Sequence, residues 1–194
     1  MAQVITIANR KGGVGKTTTT LNLACSLREL GKKILVIDLD PQANLTRCFD
    51  EGNSENIKTV GHLLTAELEE ESYSVEEYIL SYDEMDIIPS SIFLSAVETQ
   101  MRSETGSERI LSEIINQIRE HYDYILIDTS PSLNILNINA LCASDSVLIT
   151  ADTGVFAVVG IGELLKTVQK IKKRVNPKLK VQGILLTMCD NRTN

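Results

Sequence analysis

The chain has 194 residues, 43% of them hydrophobic and 23% charged, a balance that suits one folded domain and excludes a disordered chain. Asp and Glu number 26 against 19 Lys and Arg, giving a net charge of −7, so a globally basic nucleic-acid binder is excluded. Only 4% of the residues are aromatic and Trp is absent, which excludes a surface of stacked aromatic platforms and leaves the core to aliphatic side chains.

In chain order, the first aliphatic run is Val4–Ala8, and comparable runs follow at Ile34–Ile37, Ile87–Ile88, Tyr124–Ile127, Val147–Thr150 and Gly183–Leu186. They are too continuous to alternate between core and solvent, the pattern of strands covered on both faces in a parallel sheet. Helical spacing separates them. One segment carries Ile110, Leu111, Ile114, Ile115 and Ile118, and another carries Ile161, Leu164, Leu165, Val168, Ile171 and Val175 up to a stop at Asn176-Pro177. Alternating strands and helices predict an α/β fold, a doubly wound and mostly parallel sheet with helices on both faces. Residues 1–194 read as a single domain. Residues 50–86 are rich in Glu and Asp and read as a solvated, acidic helical insertion.

Straight after the first run stands Lys11-Gly12-Gly13-Val14-Gly15-Lys16-Thr17-Thr18, followed by a helix-forming stretch through about Leu30. A strand, a glycine-rich turn and a helix in that order make a phosphate cradle: glycines let backbone N–H groups approach the phosphates, and the helix N-terminus adds a favourable dipole. Lys16 is expected to reach the β- and γ-phosphates and the Thr17 hydroxyl to ligate Mg²⁺. The usual pattern G-x-x-x-x-G-K-[ST] asks for Gly where this chain has Arg10, and a second lysine, Lys11, precedes Lys16 by five residues. Asp38, Asp40 and Asp128 follow apolar runs, on the edge where open α/β sheets bind ligands.

The four cysteines, Cys25, Cys48, Cys142 and Cys189, form no CxxC pair and read as reduced thiols. The N-terminus lacks the charged and long apolar regions of a signal peptide, and the longest apolar run, Gly154–Gly162, falls well short of the ~20 residues of a membrane span. The compartment expected is cytoplasmic, with no membrane partner. On the helix near 161–175, Lys166, Lys170, Lys173 and Arg174 share a face opposite the apolar stripe.

With its second lysine, the run Lys11–Thr18 resembles the deviant Walker A motif of P-loop ATPases, and within that class the ParA/Soj group of DNA-partitioning ATPases. Asp38-Leu39-Asp40-Pro41-Gln42-Ala43-Asn44 resembles the group's D-x-D-P-Q-x-N switch, and Tyr124–Leu133 resembles its Walker B strand and second switch, with Ser130-Pro131 where two prolines are common. The resemblance implies ATP and Mg²⁺ as cofactors, slow ATP hydrolysis, and a nucleotide-sandwich homodimer. Residues Lys11, Gly12, Gly13, Val14, Gly15, Lys16, Thr17 and Thr18 then hold the phosphates, and Lys11 reaches the partner's. Asp40 orients the attacking water, Asp128 holds the metal, usually through water, and Asp38 sits near it. It also implies non-specific DNA, nucleoid association, and a centromere-binding partner of the ParB type, with Arg192 at a family position for DNA binding beside Lys166, Lys170 and Lys173. Members of the group usually continue several dozen residues past Gly183–Leu186, so their C-terminal portion is expected to be absent here. A MinD-like membrane ATPase and a regulator that binds nucleotide without hydrolysing it are the alternatives.

Overall fold

All six aliphatic runs become strands. The computed structural model describes residues 1–49, 57–154 and 157–189, in the order β1 (Gln3–Ala8), α1 (Lys16–Glu29), β2 (Ile34–Leu39), α2 (Val60–Leu68), β3 (Leu80–Tyr82), β4 (Met85–Ile88), α3 (Leu94–Met101), α4 (Ile110–Ile118), β5 (Tyr124–Thr129), α5 (Ile135–Ala143), β6 (Ser146–Ala151), α6 (Ala157–Arg174) and β7 (Lys180–Leu186). They assemble one sheet in the order β3-β4-β2-β5-β1-β6-β7, parallel throughout except for β3. The doubly wound, mostly parallel class expected from the alternation is the one observed.

Strand parity assigns each side chain to a layer. On β2, Leu35, Ile37 and Leu39 enter the core with α2, α3, α4 and α5, whereas Ile34 and Val36 pack with Leu126 of β5 beneath α1. By the same period of two, Asp38 falls on the α1 side, and the β2–β5 register sets it opposite Asp128. Both charged groups are thereby directed beneath α1. A third cluster joins Val147 and Ile149 of β6 to Leu164, Val168 and Ile171 of α6. At the far edge, β7 leaves Val181, Ile184, Leu185 and Leu186 between 40% and 59% exposed, and a groove of about 640 Å³ separates it from α1.

The acidic segment meets the helical expectation only in part. Residues 50–56 lie outside those described; the rest forms α2, a short 3-10 turn and the β3–β4 hairpin. Asp83 and Glu84 make the turn at φ 45° and 62°, values that two-residue hairpins usually give to Asn and Gly. Without that signature the turn was not legible. Arg28 of α1 anchors Asp83 through a 2.6 Å ion pair.

Glu84→Gly relieves the left-handed position without touching the Arg28 contact. We expect a gain of about 0.5–1 kcal/mol, seen as a rise of roughly 1–4 °C in thermal midpoint by differential scanning calorimetry.

Candidate functional site

β1 ends at Ala8, and the next residue, buried Asn9, sets the path of the loop. Its side-chain amide donates to the Thr150 carbonyl on β6, and its Oδ1 accepts from the Lys11 amide at 3.0 Å. Gly13 and Gly15 then take φ values of 73° and 77°, the left-handed region that a side chain resists. Gly15 caps α1 with no side-chain acceptor, and the first turn carries no acidic residue. The leading N–H groups are therefore left for an anion from outside the chain, with the helix dipole adding to the attraction.

Those groups border a cleft of about 420 Å³ that Gly12, Gly13, Gly15, Lys16, Thr17 and Thr18 line on one side and Asp40, Gln42, Asn44, Pro131 and Met188 on the other. Val14, part of the expected cradle, is instead buried beneath the loop and lends its carbonyl to the Thr187 hydroxyl at 3.1 Å. Lys16 is 7% exposed and donates to the Lys11 carbonyl at 3.3 Å. Burial lowers its pKa, while Asp128 and Asp40 oppose that fall.

Thr17 Oγ1 donates to Asp128 Oδ2 at 2.7 Å, and Thr20 Oγ1 to Oδ1 at 3.2 Å. Asp128 is fully buried, and its pKa is pushed up to about 7, first by burial and further by Asp38, against the hydroxyl bonds and Lys16. The Thr17 and Asp128 oxygens suit a small, hard divalent cation that takes its remaining ligands from phosphate and water. Among the described residues no group of three or more His, Cys, Asp or Glu could cage a metal alone.

Asp38, expected beside the metal, spends its oxygens elsewhere. Oδ1 accepts from the Asp40 amide at 3.1 Å, and Oδ2 accepts from the amide and hydroxyl of Thr46 at 2.8 and 2.7 Å. Its buried carboxylate holds the loop that presents Asp40, which itself stands in the cleft and accepts from the Gln42 amide at 2.9 Å. The remaining expected residues lie apart. Lys11 turns to Asp152 at the end of β6 in an ion pair. Lys166, Lys170 and Lys173 are exposed along α6, away from the cleft lining, and Arg192 lies outside the described residues.

Sequence reasoning missed Asn9, Thr20, Thr46 and Asp152. Thr20 was detectable, three residues after Thr17 on one helix face, and Asp152 follows the C-terminal end of β6, while Asp128 stands within the last two residues of β5. Thr46 offers no comparable pattern.

The AAA domain family matches residues 2–181. Over 196 aligned residues the chain is 38% identical to the sporulation initiation inhibitor protein Soj of Bacillus subtilis, covering 100% of this chain and 76% of Soj. It is 36% identical to the chromosome partitioning protein ParA of Caulobacter vibrioides, covering 99% of this chain and 72% of ParA. The chain belongs to the ParA/Soj family. Against Mycobacterium tuberculosis relatives matched over 194 residues, it spans 60% of their length. Among solved structures, a cobyrinic acid a,c-diamide synthase from Mycobacterium smegmatis with bound ADP and magnesium superposes with a TM-score of 0.91 at 31% identity, over 100% of this chain and 77% of the synthase. Where ParA/Soj sequences commonly carry two prolines, Ser130 instead pairs with the Ser132 hydroxyl at 2.9 Å and donates to Asn137 Oδ1 at 3.1 Å, and the Asn137 amide returns to the Ser130 carbonyl at 3.0 Å. Side-chain hydrogen bonds thus hold the turn at Ser130-Pro131.

The raised Asp128 pKa has a definite sign in stability. Between the ordinary carboxylate value and about 7 the folded state binds more protons than the unfolded chain, so this group's contribution falls as pH rises through that window and levels off above it. Asp128→Asn lacks that loss. In EDTA without nucleotide, its thermal midpoint relative to the parent is expected to climb by roughly 2–4 °C or more between pH 5 and 7.5; a pH-independent difference would contradict the assignment.

Proposed function

We propose that this chain is an ATP-dependent dimerisation switch that binds and hydrolyses ATP with Mg²⁺ and serves chromosome or plasmid partition. The observation that carries the reading is the uncapped N-terminus of α1, with Lys16 at its mouth and the Thr17–Asp128 pair beside it. The ADP and magnesium bound to the Mycobacterium smegmatis structure support the same ligands here.

The loop amides and Lys16 grip the triphosphate, and Lys16 exchanges the Lys11 carbonyl for phosphate oxygens. Bound Mg²⁺ neutralises phosphate charge as the γ-phosphoryl departs. Thr17 and Asp128 are the residues that would hold it, and occupation of that place by a cation favours the ionised form of Asp128. Asp40, fixed by the Asp38–Thr46 contacts, orients the attacking water. Lys11 completes charge stabilisation across the interface of two copies, so turnover is limited by assembly and is slow in the isolated chain. Partners in this reading are a second copy, DNA bound without sequence preference, and a ParB-like centromere-binding protein that stimulates hydrolysis.

DNA binding requires segregated charge in a chain of net charge −7. The exposed lysines of α6 supply it, although cations in the last turn of α6 also favour its dipole. Lys16→Ala is expected to abolish nucleotide binding, measured by fluorescent-nucleotide titration. Asp40→Ala and Lys11→Ala should retain binding and lower turnover by about 10²-fold, with Lys11→Ala alone also losing ATP-dependent dimerisation; equal turnover by Lys11→Ala and the parent would reject action in trans. Replacing Lys166, Lys170 and Lys173 together by Glu should weaken ATP-dependent DNA binding and reduce its dependence on salt by about one counterion per lost phosphate contact. Binding unchanged across a salt titration would remove α6 from the DNA face.

A further inference from the structure

The loop that carries the phosphate site is fastened to β6 and α6 by three consecutive residues. Asn9 binds the Thr150 carbonyl, Arg10 pairs with Glu163 of α6, and Lys11 pairs with Asp152 just beyond β6. Position 10 is where the ordinary phosphate loop has glycine, so the Arg10 contact has no counterpart in the usual pattern.

The Lys11–Asp152 pair has specific features. Its ammonium binds Asp152 Oδ2, while Oδ1 of the same carboxylate has no hydrogen-bond partner among the described residues. The lysine side chain remains 44% exposed and the aspartate 21%. The Asn9 side chain accepts from the Lys11 backbone amide, which fixes the point from which the lysine side chain extends. A half-exposed pair of this kind is weak enough to exchange for a more highly charged partner. A triphosphate offers such a partner and a carboxylate does not.

We propose that Asp152 is a positioning residue for Lys11: in the nucleotide-free chain it holds the ammonium in cis, and the strength of that pair sets how readily Lys11 is released to the phosphates of a second copy. This rests on the reading of Lys11 as a residue acting in trans. Each dimer opens two such pairs. An exposed pair contributes a factor of about 1.4 to 5, so removing both tightens nucleotide-dependent dimerisation by about 2- to 30-fold. Arg10 and Glu163 fasten the same loop without involving the ammonium, so that pair serves as the control for loop anchoring alone.

The test is the protein concentration that gives half dimer with Mg²⁺ and a non-hydrolysable ATP analogue, followed by analytical ultracentrifugation for the parent, Asp152→Asn, Asp152→Glu, Glu163→Gln, Lys11→Ala and the Lys11→Ala/Asp152→Asn double variant. Asp152→Asn keeps the shape and removes the charge. It is expected to dimerise at 2- to 30-fold lower concentration than the parent, with the advantage shrinking as NaCl screens the pair. Asp152→Glu restores the charge and should move back towards the parent; Lys11→Ala is expected not to dimerise, and adding Asp152→Asn to it should not restore dimerisation. A Lys11→Ala/Asp152→Asn variant that dimerises where Lys11→Ala does not would show Asp152 acting without the lysine, and that result overturns the proposal. So does an unchanged midpoint for Asp152→Asn, or an equal gain in Glu163→Gln, which would assign the effect to loop anchoring. If Lys11→Ala dimerises like the parent, the trans reading itself fails and the inference falls with it; a parent that dimerises while Lys11→Ala does not, together with an inert Asp152→Asn, rejects this inference alone.

Discussion

Asp128 stands at the end of a strand whose neighbours are aliphatic, with no exposure to solvent, and removing a carboxylate from water costs several kcal/mol unless something answers its charge. Two hydroxyls from one turn of α1 and the Lys16 ammonium give that answer in the chain by itself. The geometry of the site follows from this constraint. Thr17 and Thr20 reach β5 only if α1 starts at Lys16 and crosses directly over Asp128. That start requires the left-handed glycines before it, and the same placement aims the first helical amides into the cleft. One contact between α1 and β5 therefore sets the helix position, the phosphate seat and a cation-ready pair of oxygens together.

Around this centre, buried hydrogen bonds join the loops at the C-terminal edge of the sheet. Asp38 on β2 holds Thr46, the Thr46 hydroxyl accepts from the Ser90 amide at 2.8 Å, and the Ser90 hydroxyl donates to the Asp40 carbonyl at 2.8 Å. The residue that faces the cleft is thus braced from both β2 and the end of β4. On the other flank, the Thr187 amide donates to the Ala151 carbonyl at 2.7 Å, and its hydroxyl reaches the Val14 carbonyl, tying β6, β7 and the phosphate loop. A change at one loop is transmitted through polar contacts in a dry environment, where leaving a partner unsatisfied is costly.

The phosphate loop, the two switches and the parallel strands were legible because their chemistry is local: contiguous glycines, a lysine and a threonine, or an aspartate directly after an apolar run. Asp38 stands on the expected edge, opposite Asp128, with hydrogen-bond partners that the sequence did not name. The family resemblance implied a place near the metal, and the backbone turn brings the Asp40 and Thr46 amides back to it. The helical expectation for the acidic segment failed at Asp83-Glu84, a hairpin turn whose residues are not those that normally accept positive φ. There the local propensity was overridden by pairing of β3 with β4 and by the grip of Arg28.

By itself, the sequence determined the sheet and its helices and the strand, glycine turn and helix that set Lys16 and Thr17 at the cleft, since periodicity and contiguous motifs act over a few residues. Tertiary structure decided which carboxylate meets which partner. Thr17 and Asp128 are 111 residues apart, and Lys11 and Asp152 are 141 apart; strand order and register bring each pair together, and no local pattern records that closure.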